Sequence, residues 1–181
     1  MKKLILSLLF LGFISTAQTQ ILLDEARVDY SPISMKLDPG TNMLVYTLQE
    51  KSAGEFHRDP LAFAKKEFNS IQFVQENQDA NLDFYKVKFK SSKGHLTAHY
   101  NKRGELVSSY QIFKNVVIPE EARLQIIEKY KGCSFLKSSY AATSKGWELK
   151  KQHYRVQIKD GDKVHRIKID KDEQGLTLAG L

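Results

Sequence analysis

The chain has 181 residues, 28 Lys and Arg against 21 Asp and Glu, a formal net charge of +7 and a single cysteine. One thiol excludes an internal disulfide scaffold, so stability has to come from a hydrophobic core, which a chain of this length can build. The basic balance bears on solubility and partners rather than on fold, and the cations are too dispersed in sequence to form a basic tail.

At the amino terminus, Lys2 and Lys3 precede the apolar run Leu4 to Ile14 and the small residues Ser15, Thr16 and Ala17. A basic start, a short apolar centre and small residues at its end describe a secretory signal over 1–17. The run is far shorter than the ~20 apolar residues that cross a bilayer. Cleavage is expected after Ala17, with Gln20 as the next position. No cysteine lies nearby to carry a lipid, and no later stretch is long and apolar enough to span a membrane. The expected location is therefore periplasmic or secreted, without membrane insertion. Cys133 reads as a small buried residue entering a strand, since no histidine base is paired with it.

Residues 18–58 read as an extended and hairpin-like lead-in. Ile33, Met35 and Leu37 alternate with polar neighbours at the period of a half-buried strand. Asp38-Pro39-Gly40 supplies turn chemistry, Met43 to Leu48 returns as a strand, and Gln49 to Arg58 reads as a loop. Residues 59–115 form a first unit. Asp59 and Pro60 open a helix, with Leu61, Ala64, Phe68 and Ile71 as its apolar stripe, and Gln75 to Asn81 follows as a loop. Phe84 to Lys90, His95 to Tyr100 and Glu105 to Phe113 are three strands joined by short turns, hence an antiparallel meander. In the first of these Tyr85, Val87 and Phe89 point one way, and Lys86, Lys88 and Lys90 the other.

Residues 116–181 form a second unit. Pro119 starts a helix, with Glu120 and Glu121 where negative charge suits the dipole. Ala122, Ile126, Ile127 and Tyr130 make its buried stripe, and Gly132 stops it. Phe135 to Tyr140 is a strand, and Ala141 to Gly146 is small and polar, hence a loop. A strand within Trp147 to Ile158 turns at Asp160-Gly161 into Val164 to Ile169. Lys171 to Leu181 is expected to fray.

The two units share a spacing. Tyr85, Val87 and Phe89 recur sixty-nine positions later as Tyr154, Val156 and Ile158, and Ala98, Tyr100, Asn101 and Lys102 as Ile167, Ile169, Asp170 and Lys171. The helix prolines are only fifty-nine apart, which places about ten extra residues between helix and hairpin in the second copy, most naturally around Ala141 to Gly146. The pattern indicates a duplication. The expected fold is α+β: two repeated helix-plus-antiparallel-meander units, with the helices packed on one face of an antiparallel sheet.

Val117-Ile118-Pro119-Glu120-Glu121-Ala122, the helix end Tyr130-Lys131-Gly132, and the strand Tyr154-Arg155-Val156-Gln157-Ile158 with its closing hairpin resemble the PepSY-like exported bacterial proteins, which are similar in fold to the beta-lactamase-inhibitory proteins. The resemblance covers about Asp59 to Asp170. The turn from Ile169 to Gly175 is longer than the family's usual acidic-glycine turn, and Ile21 to Arg58 falls outside the pattern. The resemblance implies a helix packed on an antiparallel sheet, twice, used to bind proteins or peptides; it carries no catalytic residues.

The residues themselves offer little chemistry. His95 and His99 share a strand face ~13 Å apart, too far for one metal. His57, His153 and His165 have no ligand spacing. There is no Gly-x-Ser-x-Gly elbow and no phosphate-cradling glycine loop. Neither a metal nor a cofactor is called for, and no catalytic residue is nominated. What remains is a basic strand face: Lys86, Lys88 and Lys90 correspond at the repeat offset to Arg155, Gln157 and Lys159. With Trp147 as a possible anchor in the long hairpin, these nominate a platform for an exported or envelope protein, a peptide or an acidic polymer. Nucleic acid is set aside, because the aromatics alternate onto the buried face and the chain is expected to be exported. Two competing readings are a hydrolase whose site assembles only in three dimensions and a structural subunit of an envelope assembly.

Overall fold

The computed structural model describes residues 31–38, 40, 43–49, 54–80, 82–172 and 174–180. The signal stretch over 1–17, the alternative cleavage position Gln20 and the lead-in before Ser31 lie outside the described residues.

Among the described residues, nine strands form one sheet whose spatial order is the chain order. They are β1 (Ser31–Asp38), β2 (Met43–Gln49), β3 (Phe84–Lys90), β4 (Gly94–Asn101), β5 (Leu106–Lys114), β6 (Ser134–Lys145), β7 (Glu148–Asp160), β8 (Lys163–Asp172) and β9 (Gly175–Ala179). All neighbours are antiparallel except β2 and β3, which run parallel. A parallel pair needs a crossover. Here it is made by α1 (Gly54–Arg58), α2 (Pro60–Glu67), α3 (Ser70–Glu76) and a 3-10 turn at Gln78–Ala80. The fourth helix, α4 (Glu120–Lys129), joins β5 to β6.

The crossover departs from the sequence reading at three points. The expected loop Gln49 to Arg58 ends in α1, because Phe56 is wholly buried among Phe63, Phe89 and Phe113, with ring centroids 5.1 to 6.5 Å away. The single expected helix breaks at Phe68, whose backbone is extended, and Asn69 caps a new helix by accepting the Gln72 amide. The Asn69 cap replaces the bond that the Gln72 amide would make to Phe68 in a continuous helix, which lowers the cost of the break. The break turns Phe68 onto Phe73, Phe89 and Tyr100 and leaves Ile71, expected in the stripe, 57% exposed. Helix therefore continues to Glu76, into the expected loop Gln75 to Asn81.

Asp59 caps α2 as expected, through its carboxylate and the Ala62 amide. The second half follows its plan more closely, with corrections. Pro119 sits at the start of α4, and Gly132 takes the left-handed conformation (φ +80°) that lets the chain leave the helix. Ala122 and Ile126 are wholly buried and Tyr130 is half-buried, but Ile127 looks outward. The expected loop Ala141 to Gly146 is instead the end of β6. Ala142 and Ser144 are buried there, and Ser144 shares a 2.7 Å hydroxyl contact with buried Ser109 on β5. Small and polar residues mark a close-packed polar pair at this point, not exposure. The stretch expected to hold about ten added residues is thus strand, between α4 and β7. The expected frayed end is β9, whose Leu176 and Leu178 pack on the core.

Two cores lie on one face of the sheet. The first gathers Phe56, Phe63, Phe73, Val87, Leu96 and Tyr100 under α1 to α3. The second gathers Ile126, Val156, Ile158, Ile167 and Ile169 under α4. Cross-strand register puts them on the same side, since Phe113 faces Tyr140, Tyr140 faces Tyr154 and Tyr154 faces Ile169. The hairpins correspond in register: Tyr85 opposes Tyr100 and Val87 opposes Ala98, as Tyr154 opposes Ile169 and Val156 opposes Ile167.

Candidate functional site

The opposite face of the sheet carries the cations. With Tyr85, Val87 and Phe89 buried under the helices, alternation turns Lys86, Lys88 and Lys90 outward; the first two are half-buried and the third is exposed. Across β4 they oppose His99, Thr97 and His95. On β7, Arg155 and Lys159 are exposed and alternate with buried Val156 and Ile158. Arg155 opposes Ser139 on β6 and Lys168 on β8. The two nominated cation groups therefore share one face but stand four strands apart, ~19 Å at the usual strand spacing.

The field of the lysines is felt on this face. His95 is held below its ordinary value by burial and then by Lys88 and Lys90; His99 is held down by burial and then by Lys86. Across the sheet, Asp170 is kept ionised to lower pH by hydrogen bonds from Lys168, at 2.8 Å, and from His153.

Three features of the face were missed in the sequence. Lys168 stands opposite Arg155, with its charge paired to Asp170 at 2.8 Å. Tyr110 is 44% exposed in the middle of the sheet, with the His95 ring 6.5 Å away, and Phe84 is 46% exposed at one margin. Aromatics are thus present among the cations, contrary to the expectation that all of them lie on the buried face. The reason is the phase of β5, where polar Ser109 and Gln111 are buried and Tyr110 and Ile112 look out. The exclusion of nucleic acid then rests on expected export alone. Between Tyr110, Ile112, Ala141, Arg155 and Lys168 the face sinks into a depression of about 260 Å³, floored by small residues of β6.

Trp147 does not join this face. It occupies the turn between β6 and β7, 40% exposed, with the Lys65 ammonium of α2 5.7 Å from its ring centre. That contact places it on the helix side. Cys133 is half-buried at the second core, free of any disulfide. Among the described residues no cluster of three or more His, Cys, Asp or Glu could hold a metal, and no helix is long and apolar enough to cross a membrane.

A second concavity, about 560 Å³, opens on the helix side between α1 and the segment linking β5 to α4. His57 and Asp59 both line it. Asp59 is committed to capping α2, and the His57 Nε2 lies 2.6 Å from the Ser91 hydroxyl. That hydroxyl also accepts the amides of Lys93 and Gly94, which builds the β3–β4 turn. Burial, and then Lys93, lowers the His57 value. The back of this cleft holds Gln111, which is 1% exposed, together with Tyr140 and Gln152.

Comparison with known proteins finds no family model, no curated protein and no solved structure that matches the chain.

Proposed function

We propose that the chain is an exported, non-enzymatic binding protein whose helix-free sheet face engages an acidic partner: a protein, a peptide or an envelope polymer. The observation that carries this reading is the gathering of Lys86, Lys88, Lys90, Arg155, Lys159 and Lys168 on the face opposite the helices. Tyr110 and Arg155 flank the depression at its middle and are the residue types that most often anchor interfaces. The PepSY-like resemblance remains part of this proposal. It is supported by the two helix-covered cores and by hairpins that coincide in register at the sixty-nine-residue offset, which also favours reading the chain as two repeated units.

Charge reversal tests the proposal. Lys86→Glu, Lys88→Glu and Arg155→Glu together are expected to abolish capture of a partner from periplasmic extract and binding to poly-glutamate, with the melting temperature nearly unchanged. A single-stranded oligonucleotide serves as the competing acidic ligand. Stronger binding of the oligonucleotide than of poly-glutamate would redirect the reading to nucleic acid. Survival of partner capture in the triple variant would refute the basic platform.

A hydrolase reading draws on the His57–Ser91 contact alone. The Ser91 hydroxyl is occupied by two turn amides, and the carboxylate of the cleft is occupied by the α2 cap. Loss of a measured esterase activity in Ser91→Ala, with an unchanged fold, is what that reading requires.

A further inference from the structure

We propose that the helix-side cleft is a binding site for a small aromatic acid, separate from the basic sheet face. The cleft lies at the seam between the two cores, where the cover of α1 and α2 ends and that of α4 has not begun. Seams of this kind are favoured ligand positions, and its volume of about 560 Å³ falls in the range of small-molecule sites.

Its walls are built for a flat, apolar body. The Tyr140 and Tyr154 rings stand 4.8 Å apart and tilted, with Phe113 and Leu149 also lining the cleft. A ligand ring can pack against these tyrosines edge-on or offset. Polar groups converge at the back. Tyr140 donates its hydroxyl to Gln152 Oε1 at 3.2 Å, and Gln111 Nε2 reaches the same hydroxyl at only 3.5 Å. Gln111 Oε1 has no partner, although the side chain is almost wholly buried. A buried amide that is left incomplete at the back of a cleft calls for a hydrogen-bonding group from outside. A ring hydroxyl entering along Tyr140 supplies it once the Gln111 amide turns toward the cleft.

The rim supplies the charge preference. Arg58, Lys93 and Lys114 line the cleft and outnumber its one carboxylate, Asp59, which caps α2 and whose negative charge still reaches Tyr140. Positive charge at the mouth and aromatic walls behind it select a carboxylate on an aromatic ring. One wall is firmly placed: Asn115, in the left-handed region at φ 54°, donates its amide to the Ser138 carbonyl, and the Ser138 hydroxyl donates to the Val116 carbonyl. This wall is thus tied to β6 by one backbone and one side-chain hydrogen bond, and a ligand would meet a largely pre-formed site.

The test uses the full chain, 15N-labelled, titrated with 4-hydroxybenzoate and with its uncharged methyl ester. The acid is expected to shift the side-chain amide resonances of Gln111 and Gln152 at millimolar concentration, and the ester to bind at least about tenfold more weakly. Arg58→Glu with Lys93→Glu is expected to weaken the acid by at least about tenfold. Leu149→Trp, which fills the cleft, and Gln152→Ala, which keeps the core should the tryptophan not fold, are both expected to weaken it. Lys86→Glu with Lys88→Glu, on the other face, is expected to leave it unchanged. No shift of either glutamine, equal binding of acid and ester, or loss of binding on reversing Lys86 and Lys88 would each overturn the proposal. Because the poly-glutamate test reads the opposite face, failure of one site leaves the other standing.

Discussion

Tyr100 is wholly buried in the first core and its hydroxyl has no partner. Burial pushes its ionisation far up, so the group stays neutral and contributes only a desolvated hydroxyl. Tyr100→Phe keeps the ring contact with Phe68 and removes the orphan. It is expected to raise stability by up to about 1 kcal/mol in urea denaturation; a loss of that size would show that the hydroxyl is satisfied. Gly94 sits so close to β5 that an added Cβ would lie 2.0 Å from the Ile112 carbonyl oxygen and 2.8 Å from the Phe113 Cα. Backbone cannot yield as a side-chain tip can, so Gly94→Ala is expected to cost about 3 kcal/mol, the upper end of overpacking. A melting curve equal to the wild type would contradict that packing.

The histidines give a pH prediction. His95 and His99 both have folded values below the ordinary 6.5. As pH falls toward and below that value, the unfolded chain takes up protons before the folded chain does, and stability drops. The melting temperature is expected to decline through this window on acidification. Lys88→Met, which removes one cause of the His95 shift, should flatten the decline. An acidic partner lying over the lysines would reverse the electrostatic part of both shifts, so binding takes up protons and tightens as the pH is lowered through the same window. Weakening on acidification would count against contact at this face.

At the scale of elements, α4 separates two neighbouring isoleucines. Ile126 is wholly buried in the core that holds Val156 and Ile167, whereas Ile127 is 37% exposed. Ile126→Ala is expected to cost about 2–5 kcal/mol, and Ile127→Ala clearly less; equal losses would mean that the helix is rotated. The parts of the fold legible in sequence were those where polarity and burial agree. Strand β3 alternates cleanly, so its buried and open faces could be assigned, and the similar residues sixty-nine positions on did the same for β7 and β8. Strand β5 could not be phased, because buried Ser109 and Gln111 are polar while outward Tyr110 and Ile112 are not. The same inversion hid the end of β6, and with it both concavities: Ala141 floors one and Gln111 backs the other. The parallel pairing of β2 with β3 leaves no local trace, since it is made by residues about forty positions apart, such as Leu44 and Tyr85.

For the whole molecule, the sheet separates two environments. One face is spent on two apolar cores and the seam between them; the other carries lysine, arginine and histidine around Tyr110. Such a division lets the cationic face change with little loss of stability, since its cations make few of the contacts that hold the fold together. Attraction to an acidic partner through dispersed cations is also screened by salt. Backbone amide shift mapping with poly-glutamate tests this division most directly. The account predicts shifts concentrated on β3, β4, β7 and β8 that fade with added salt and vanish in the Lys86→Glu, Lys88→Glu, Arg155→Glu variant at an unchanged melting temperature. Shifts confined to α1 to α4, or shifts that persist undiminished in that variant, would contradict it.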